Sequence, residues 1–233
     1  MFRVFALVIA VAVLSGSHET ADARPALSQA VQQCLAAAGV IHDRKDGRPR
    51  TIEPRVALPP CRAAQPEAAQ APPVVRFAVG QGMMTSTDPR EVQDGVALIE
   101  RAAAEGLPQA QFRLGALYEQ GFFKHRDRCT EFNECRARDR RQAEEALKYY
   151  ALAAPGYGHA ASAMGYAHYY GAYGARRDLA KAFEYLTRAA EAGVPAAMRL
   201  LGPMYMSAHG APMDKVRGLE LVGLAAQMGD RQA

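Results

Sequence analysis

From Asp88 onward the apolar positions of this chain recur in a fixed order, alternating between two kinds of segment. One kind is alanine-rich and opens at Gly95, Ala146, Ala182 and Gly218: GVALIERAAAEG, ALKYYALAAPGYG, AFEYLTRAAEAG and GLELVGLAAQMG. The other precedes each later copy and sets a bulky residue beside a glycine: AQFRLGALYEQG, AASAMGYAHYYG and AAMRLLGPMYMSAHG. The four anchors are spaced by 51, 36 and 36 residues, a 36-residue unit whose first copy carries one insertion of 15. The two halves predict helices at 89–105, 109–120, 140–154, 159–170, 179–192, 196–207 and 215–228. Short connections make neighbours antiparallel. A single hairpin cannot bury its apolar face, but a stack of hairpins can.

The ends of these segments carry capping chemistry. Asp88-Pro89 with Glu91 reads as an N-cap, a first-turn proline and a capping-box glutamate. Asp139, Asp178 and Asp214 occupy comparable starts, and Gly106, Gly121, Gly171, Gly193 and Gly229 fall where left-handed C′ residues are needed. Leu114-Gly115, Met164-Gly165 and Leu201-Gly202 place a gap beside a bulky side chain, and Tyr149 and Tyr185 supply volume for those gaps. Pro203 inside the last first-half segment predicts a kink or a shortening there.

Ahead of the repeats the texture differs. Val4 to Leu14 is an apolar run behind Arg3, and Ala21-Asp22-Ala23 is a small-x-small cleavage pattern, so residues 1–23 read as a signal peptide. Cleavage after Ser17 is the fallback, and an uncleaved anchor is the weaker reading because the run is far shorter than the roughly 20 residues a membrane-spanning helix needs. Residues 24–87 read as one helix followed by a proline-rich linker. Leu27, Ala30, Val31, Cys34, Leu35 and Ala38 share one helical face, whereas the prolines from Pro49 to Pro73 predict no long helix. Val74 to Val79 fits a short strand or an extended arm.

Export changes the meaning of the four cysteines, because an oxidising compartment permits disulfides. Three pairings are open, and proximity favours Cys34–Cys61 and Cys129–Cys135. Metal ligation by His125, Cys129 and Cys135 is the alternative, although a Cys-x5-Cys spacing is not the short knuckle of zinc sites. The net charge of +4 is mild and unconcentrated, which argues against nucleic acid. The insertion, at about 124–139, is locally basic: Lys124, Arg126, Arg128, Arg136, Arg138, Arg140 and Arg141 lie within it or at its edge. Catalytic chemistry is not visible. His42, His125, His159, His168 and His209 belong to no metal or nucleophile motif, Ser162 and Ser207 lack a nucleophile-elbow context, and Glu144-Glu145 point in different directions. No enzyme, no cofactor and no metal are expected.

Residues 88–230 resemble the Sel-one-like repeat, a relative of the tetratricopeptide repeat. Ala110, Leu114, Gly115, Tyr118 and Gly121 match the first half of the family pattern; Asp178, Ala182, Tyr185, Ala189, Ala190 and Gly193 match the second. His168, Gly218, Leu221 and Pro203 depart from it. The resemblance implies an all-α, α/α solenoid of about three repeats, with a proline-rich, disulfide-tied N-terminal segment in front. It also implies a periplasmic or secreted adaptor that binds another protein on the surface of its first helices. An immunity protein neutralising a lipase toxin of a type VI secretion system and a regulator or scaffold of envelope signalling are the two versions; a hydrolase is the remote alternative. Aligning the first helices gives the rows Arg113/Ala163/Leu200, Ala116/Tyr166/Pro203 and Gln120/Tyr170/Ser207. From these, Arg113, Tyr166 and Tyr170 are the expected contacts, joined by Arg126, Arg128 and Arg136 of the insertion. Internal packing of Tyr166 or Tyr170 is the competing account, and the partner is a toxin effector or an envelope signalling protein.

Overall fold

The computed structural model describes residues 27–37, 54–126 and 129–233. The signal peptide expected at 1–23 and the first part of the expected linker lie outside the described residues. Among the described residues there are ten α-helices, one short 3-10 helix and no strand. In chain order the α-helices are α1 (Gln29–Ala37), α2 (Pro54–Ala68), α3 (Pro73–Met83), α4 (Pro89–Ala104), α5 (Pro108–Glu119), α6 (Phe132–Ala153), α7 (Gly158–Tyr170), α8 (Leu179–Glu191), α9 (Pro195–Ser207) and α10 (Lys215–Gln227). Each packs chiefly against its sequence neighbours, as in an α/α solenoid.

Six of the seven predicted repeat helices form where the sequence period places them, α6 being the exception, and three aspartates start helices. Asp88, Asp178 and Asp214 are N-caps whose carboxylates accept backbone N–H groups from Arg90 at 2.8 Å, Lys181 at 3.1 Å and Arg217 at 2.9 Å. The glycines expected at C′ positions all have left-handed φ, from +71° to +87°. Two capping expectations fail. Glu91 does not close a box on Asp88: the Asp88 N–H goes to the Ser86 hydroxyl, and Ser86 in turn donates to Glu91, which also holds Arg62 of α2. Asp139 caps nothing, because α6 begins at Phe132 behind Glu131 and carries Asp139 in its interior. Pro203 also has less effect than expected. It lies exposed in α9, and α9 runs 13 residues, as many as α7.

The larger differences lie at the N-terminal end. α2 is a helix despite Pro59, Pro60 and Pro66 within it. Each interior proline forfeits a backbone hydrogen bond, but Ala57, Cys61, Ala64 and Ala68 recur at helical spacing and are fully buried. That stripe packs on α1 and α3, and a Cys34–Cys61 disulfide with S–S 2.05 Å crosslinks it to α1. Backbone and neighbour also approach closely: a Cβ on Gly82 of α3 would lie 2.3 Å from the Cys61 sulfur. Tertiary contacts and the crosslink therefore override local propensity. The Val74–Val79 segment, expected as strand or arm, is the middle of α3. It pairs with α4, so the first predicted repeat helix, at 89–105, is the second half of a whole hairpin. Arg76 and Glu105 form a two-bond ion pair across this hairpin, and Arg199 and Asp230 repeat the clasp in the last one at 3.2 Å.

One packing device recurs in all four repeat hairpins. The first helix presents a glycine, and the second helix presses into the space where a side chain would be. A Cβ on Gly80 would meet the Gly95 carbonyl at 2.6 Å; on Gly115, the Tyr150 ring at 2.6 Å; on Gly165, Leu186 at 2.6 Å; on Gly202, Val222 at 2.6 Å. The residues filling the later gaps are thus Tyr150, Leu186 and Val222, one position beyond the expected Tyr149 and Tyr185. Those two tyrosines instead stack on the residue one turn after each glycine. Tyr149 lies against Tyr118 with centroids 5.6 Å apart, and Tyr185 lies parallel to His168 at 5.8 Å. His168 therefore replaces the usual tyrosine as a flat stacking surface, and its Nδ1 lies 3.3 Å from the Arg176 carbonyl oxygen.

Two interior-helix glycines should respond oppositely to alanine. Gly115→Ala forces the Tyr150 ring to move and should cost about 1–2 kcal/mol. Gly223→Ala enters open space and should gain about 0.5–1 kcal/mol from helix propensity. Urea unfolding of dilute protein followed by circular dichroism measures both, and equal signs would refute the interlock. The crosslinks should differ as well. Replacing Cys34 and Cys61 by serine opens a 27-residue separation and should cost about 3–4 kcal/mol, whereas the 6-residue Cys129–Cys135 separation is worth about 2 kcal/mol; the shift in urea midpoint reads the difference.

Candidate functional site

The first helices α3, α5, α7 and α9 occupy equivalent places in successive hairpins, and their outward residues form the surface of interest. Tyr166 and Tyr170 of α7 are 42% and 55% exposed with rings 4.7 Å apart. Both therefore face solvent, although a hydroxyphenyl ring would normally bury most of its area. Leu200, in the row with Arg113, is buried core instead. Pro203, Gln120 and Ser207 are exposed on their rows.

Arg113 of α5 is half-buried, and its Nε donates to Gln81 Oε1 of α3 at 3.0 Å. Burial lowers its pKa, with Tyr150 partly opposing that effect. No carboxylate lies against its guanidinium among the described residues. A run of rings links it to the exposed tyrosines. Tyr150 is near enough to Arg113 for their charges to act on each other, Tyr173 is 6.0 Å from Tyr150, and Tyr166 is 6.2 Å from Tyr173, the ring distances being centroid to centroid. Tyr169 adds an edge contact to Tyr170 at 4.7 Å.

The Glu119 carboxylate fixes this row from one side. It accepts hydrogen bonds from the hydroxyls of both Tyr150 and Tyr173. Burial, then the hydrogen bond to Glu119, pushes both phenols above the usual tyrosine range, so both remain neutral donors at physiological pH. Tyr173 sits in the α7–α8 connection with φ +54°, a left-handed conformation that costs a non-glycine residue about 1 kcal/mol. Its bond to Glu119 and its ring contacts hold it there. Sequence reasoning did not find Glu119 or Tyr173. The one cue was a tyrosine closely flanked by Gly171 and Gly174 outside the repeat pattern.

The insertion comprises a 3-10 helix (Phe122–Arg126), a loop closed by Cys129–Cys135, and added turns at the start of α6. Arg128 and the side chain of Arg126 lie outside the described residues; Arg136 is exposed. Two of the basic side chains meet on one carboxylate. Lys124 Nζ and Arg138 Nη2 reach Asp139 Oδ1 at 3.1 and 3.0 Å and hold its carboxyl below the ordinary carboxylate range, Lys124 foremost. Cys129 and Cys135 are bonded to each other, which leaves the metal alternative without its thiolates, and no group of three metal-ligating side chains occurs among the described residues. Ser207 and His209 come within 3.1 Å, but the Ser207 hydroxyl donates to the Pro203 carbonyl oxygen at 2.6 Å. Its proton is committed to the backbone, so the imidazole does not activate it.

Comparison with known proteins agrees with this geometry. The Sel1 repeat family matches residues 108–127, 139–154, 158–194 and 195–230. The gap between the first two matches falls in the insertion. No curated protein sequence matches the chain. Among solved structures, a Sel1 repeat protein from Oxalobacter formigenes superimposes with a TM-score of 0.54 at 24% identity, covering 85% of this chain and 52% of its own. The protective antigen c5321 of uropathogenic Escherichia coli strains, described as displaying an SLR fold, gives 0.58 at 24% identity and covers 86% of this chain and 38% of its own. This chain thus spans about half or less of those proteins, and at such identity the likeness is one of fold. With four matched segments in order, making three repeats of which the first is split by the insertion, and the same helical stack in the solved structures, the chain is a Sel1-repeat protein.

Proposed function

We propose that this protein is an extracytoplasmic adaptor that captures a protein partner on its first-helix surface, with Arg113, Tyr166 and Tyr170 as the principal contacts. Sel1 repeats generally mediate protein–protein interaction. The observation that carries the assignment to this face is the row of rings ending at a half-buried guanidinium with no carboxylate of its own. Tyrosine and arginine are the side chains that most often dominate protein interfaces. An arginine already stripped of part of its water loses less on binding and favours a planar carboxylate. The partner surface complementary to this row carries an acidic side chain next to apolar or aromatic residues. Exposed Arg136 on the crosslinked insertion, with Arg126 and Arg128 of the same segment, extends the basic character beyond the row.

Two disulfides and the N-terminal apolar run ahead of a small-x-small site support export. No helix among the described residues is long and apolar enough to cross a membrane. Action is by occupancy: the partner is masked or held in place, with no turnover. Within that reading an immunity protein that blocks a secreted lipase toxin is the leading version, and a regulator or scaffold of envelope signalling is the other. The immunity version requires tight binding and protection of cells from the toxin; the regulatory version requires neither.

The triple variant Arg113→Gln, Tyr166→Ala, Tyr170→Ala tests the face. Its substitutions should leave the melting temperature nearly unchanged at the two exposed tyrosines and should weaken partner binding by at least about a hundredfold. Quantitative mass spectrometry of proteins captured by wild-type and variant baits, followed by calorimetry on the recovered partner, makes the measurement. Equal recovery by both baits sinks the assignment of this face.

A further inference from the structure

Charge is unevenly shared between the two helices of each hairpin. The first helices α3, α5, α7 and α9 together carry four Asp, Glu, Lys or Arg residues, namely Arg76, Arg113, Glu119 and Arg199, whereas α6 alone carries nine. Three of the four are taken. Arg76 is held by Glu105, Arg199 by Asp230, and each Glu119 oxygen accepts from one tyrosine. Arg113 is left with a neutral amide as its hydrogen-bond partner. Around it the outward surface of these helices presents rings, amides, hydroxyls and small apolar residues. Tyr166 and Tyr170 keep hydroxyls that bond to nothing among the described residues, and the exposed Gln120 amide stands in the row with Tyr170. The face is therefore rich in donors and poor in acceptors. Among the described residues no carboxylate on it is open, and the side-chain oxygens that remain belong to groups that also donate.

On the footing that this face is the binding surface, we propose that the partner lays a proline-rich segment in polyproline II conformation across Tyr170, Tyr166 and Tyr173, with an acidic side chain of the same segment on Arg113. An ordinary extended segment brings one backbone N–H per residue, and each N–H covered by the contact needs an acceptor. This face has few to offer. Proline has no N–H, and polyproline II makes no internal hydrogen bonds, so its carbonyl oxygens are free to accept. The Tyr166 and Tyr170 hydroxyls are the matching donors. Shape agrees with the chemistry. The rings are inclined to one another, by 50° between Tyr166 and Tyr170 and by 41° between Tyr166 and Tyr173, so they do not stack flat. Inclined, exposed ring faces form the slots that pyrrolidine rings fill in aromatic-lined grooves. Tyr173 is held by its bond to Glu119, and a polyproline II ligand is already stiff, so little freedom is lost on either side. A helical ligand would instead need an apolar groove to lie in, and the large aliphatic residues of α7 and α9, such as Met164 and Leu200, are buried. The lone guanidinium sets the charge of the segment: one carboxylate, and otherwise neutral.

The probe is a blocked, fluorescently labelled peptide of about ten residues, a run of prolines with one glutamate at each end. The repeated prolines let it slide until a glutamate meets Arg113. Titrated with the full chain, disulfides intact, it should bind at about 100 µM by fluorescence anisotropy. A peptide with alanine for every proline should bind at least about tenfold more weakly, and so should the proline peptide on the Tyr166→Ala, Tyr170→Ala double variant. Glutamine in place of both glutamates should cost about fivefold, Arg113→Gln the same, and the two together no more than either alone. Leu152→Ala, at an exposed residue of α6, should change nothing. If Arg113→Gln fails to fold by circular dichroism, the glutamine-ended peptide on the wild-type chain decides the charge. No binding at about 1 mM, equal binding of the alanine or the glutamine-ended peptide, or binding indifferent to the two tyrosines overturns the proposal. The use of the face is judged apart from this, by capture. A triple variant that loses the captured partner, alongside a proline peptide that does not bind, keeps the face and refutes the proline segment.

Discussion

Each repeat hairpin is held by an interlock in which a glycine backbone takes the weight of a neighbouring side chain or carbonyl. At Gly80, Gly115, Gly165 and Gly202 the space beside the first helix is occupied by the second helix. Nothing larger than hydrogen can stand at those positions without moving a core group. This close approach lets short, alanine-rich helices bury enough apolar area to hold together, and it sets the angle at which each hairpin is presented to the next. The stacked pairs Tyr118–Tyr149 and His168–Tyr185 follow one turn further along and fix the rotation of the two helices about the contact. The surface of first helices inherits its regular spacing from these gaps. Tyr166 and Tyr170 stand exposed because Met164 and Gly165 have already satisfied the core on the other side of α7.

The repeat helices were legible in the sequence because their determinants are local. A 36-residue period, aspartates at helix starts and glycines at helix ends need no knowledge of the partner helix. What escaped was set by partners distant in sequence. In α2 the prolines speak against helix more loudly than Ala57, Cys61, Ala64 and Ala68 speak for it, until α1, α3 and the crosslink are in place. In α3 a valine-rich run looks like strand because its glycines mark close contacts with α2 and α4, not turns. Tyr149 and Tyr150 are 100° apart on one helix, and a pattern alone does not tell which of two adjacent aromatics turns inward. The cluster around Glu119 joins residues 31 and 54 positions apart through a left-handed tyrosine, and no spacing rule anticipates that.

The candidate binding row draws its order from two unlike sources. The stacked helices fix Arg113, Tyr166 and Tyr170 on a common surface, and Glu119 adds a polar tie between successive hairpins. Through Tyr150 it grips α6, and through Tyr173 it grips the connection that follows α7. The row is thus preorganised across a repeat boundary, which lowers the entropy lost when a partner settles on it. The insertion contributes differently. Its crosslink and the Lys124–Asp139–Arg138 cluster shape a charged projection while leaving the repeat core untouched.

The Cys34–Cys61 crosslink gives the stack a mechanical polarity. In a quasi-one-dimensional array each unit is steadied only by its neighbours, so loss of structure begins at an end and travels inward. Among the described helices α1 and α2 are covalently stapled, whereas α7 to α10 are held to one another by non-covalent packing alone. Opening under tension or heat should therefore begin among the unstapled hairpins and halt at the stapled pair, and proteolytic nicking should follow the same order. Tyr166 and Tyr170 lie among the unstapled hairpins, so a partner bound there would act as a stop, damping motions before they reach the rest of the stack.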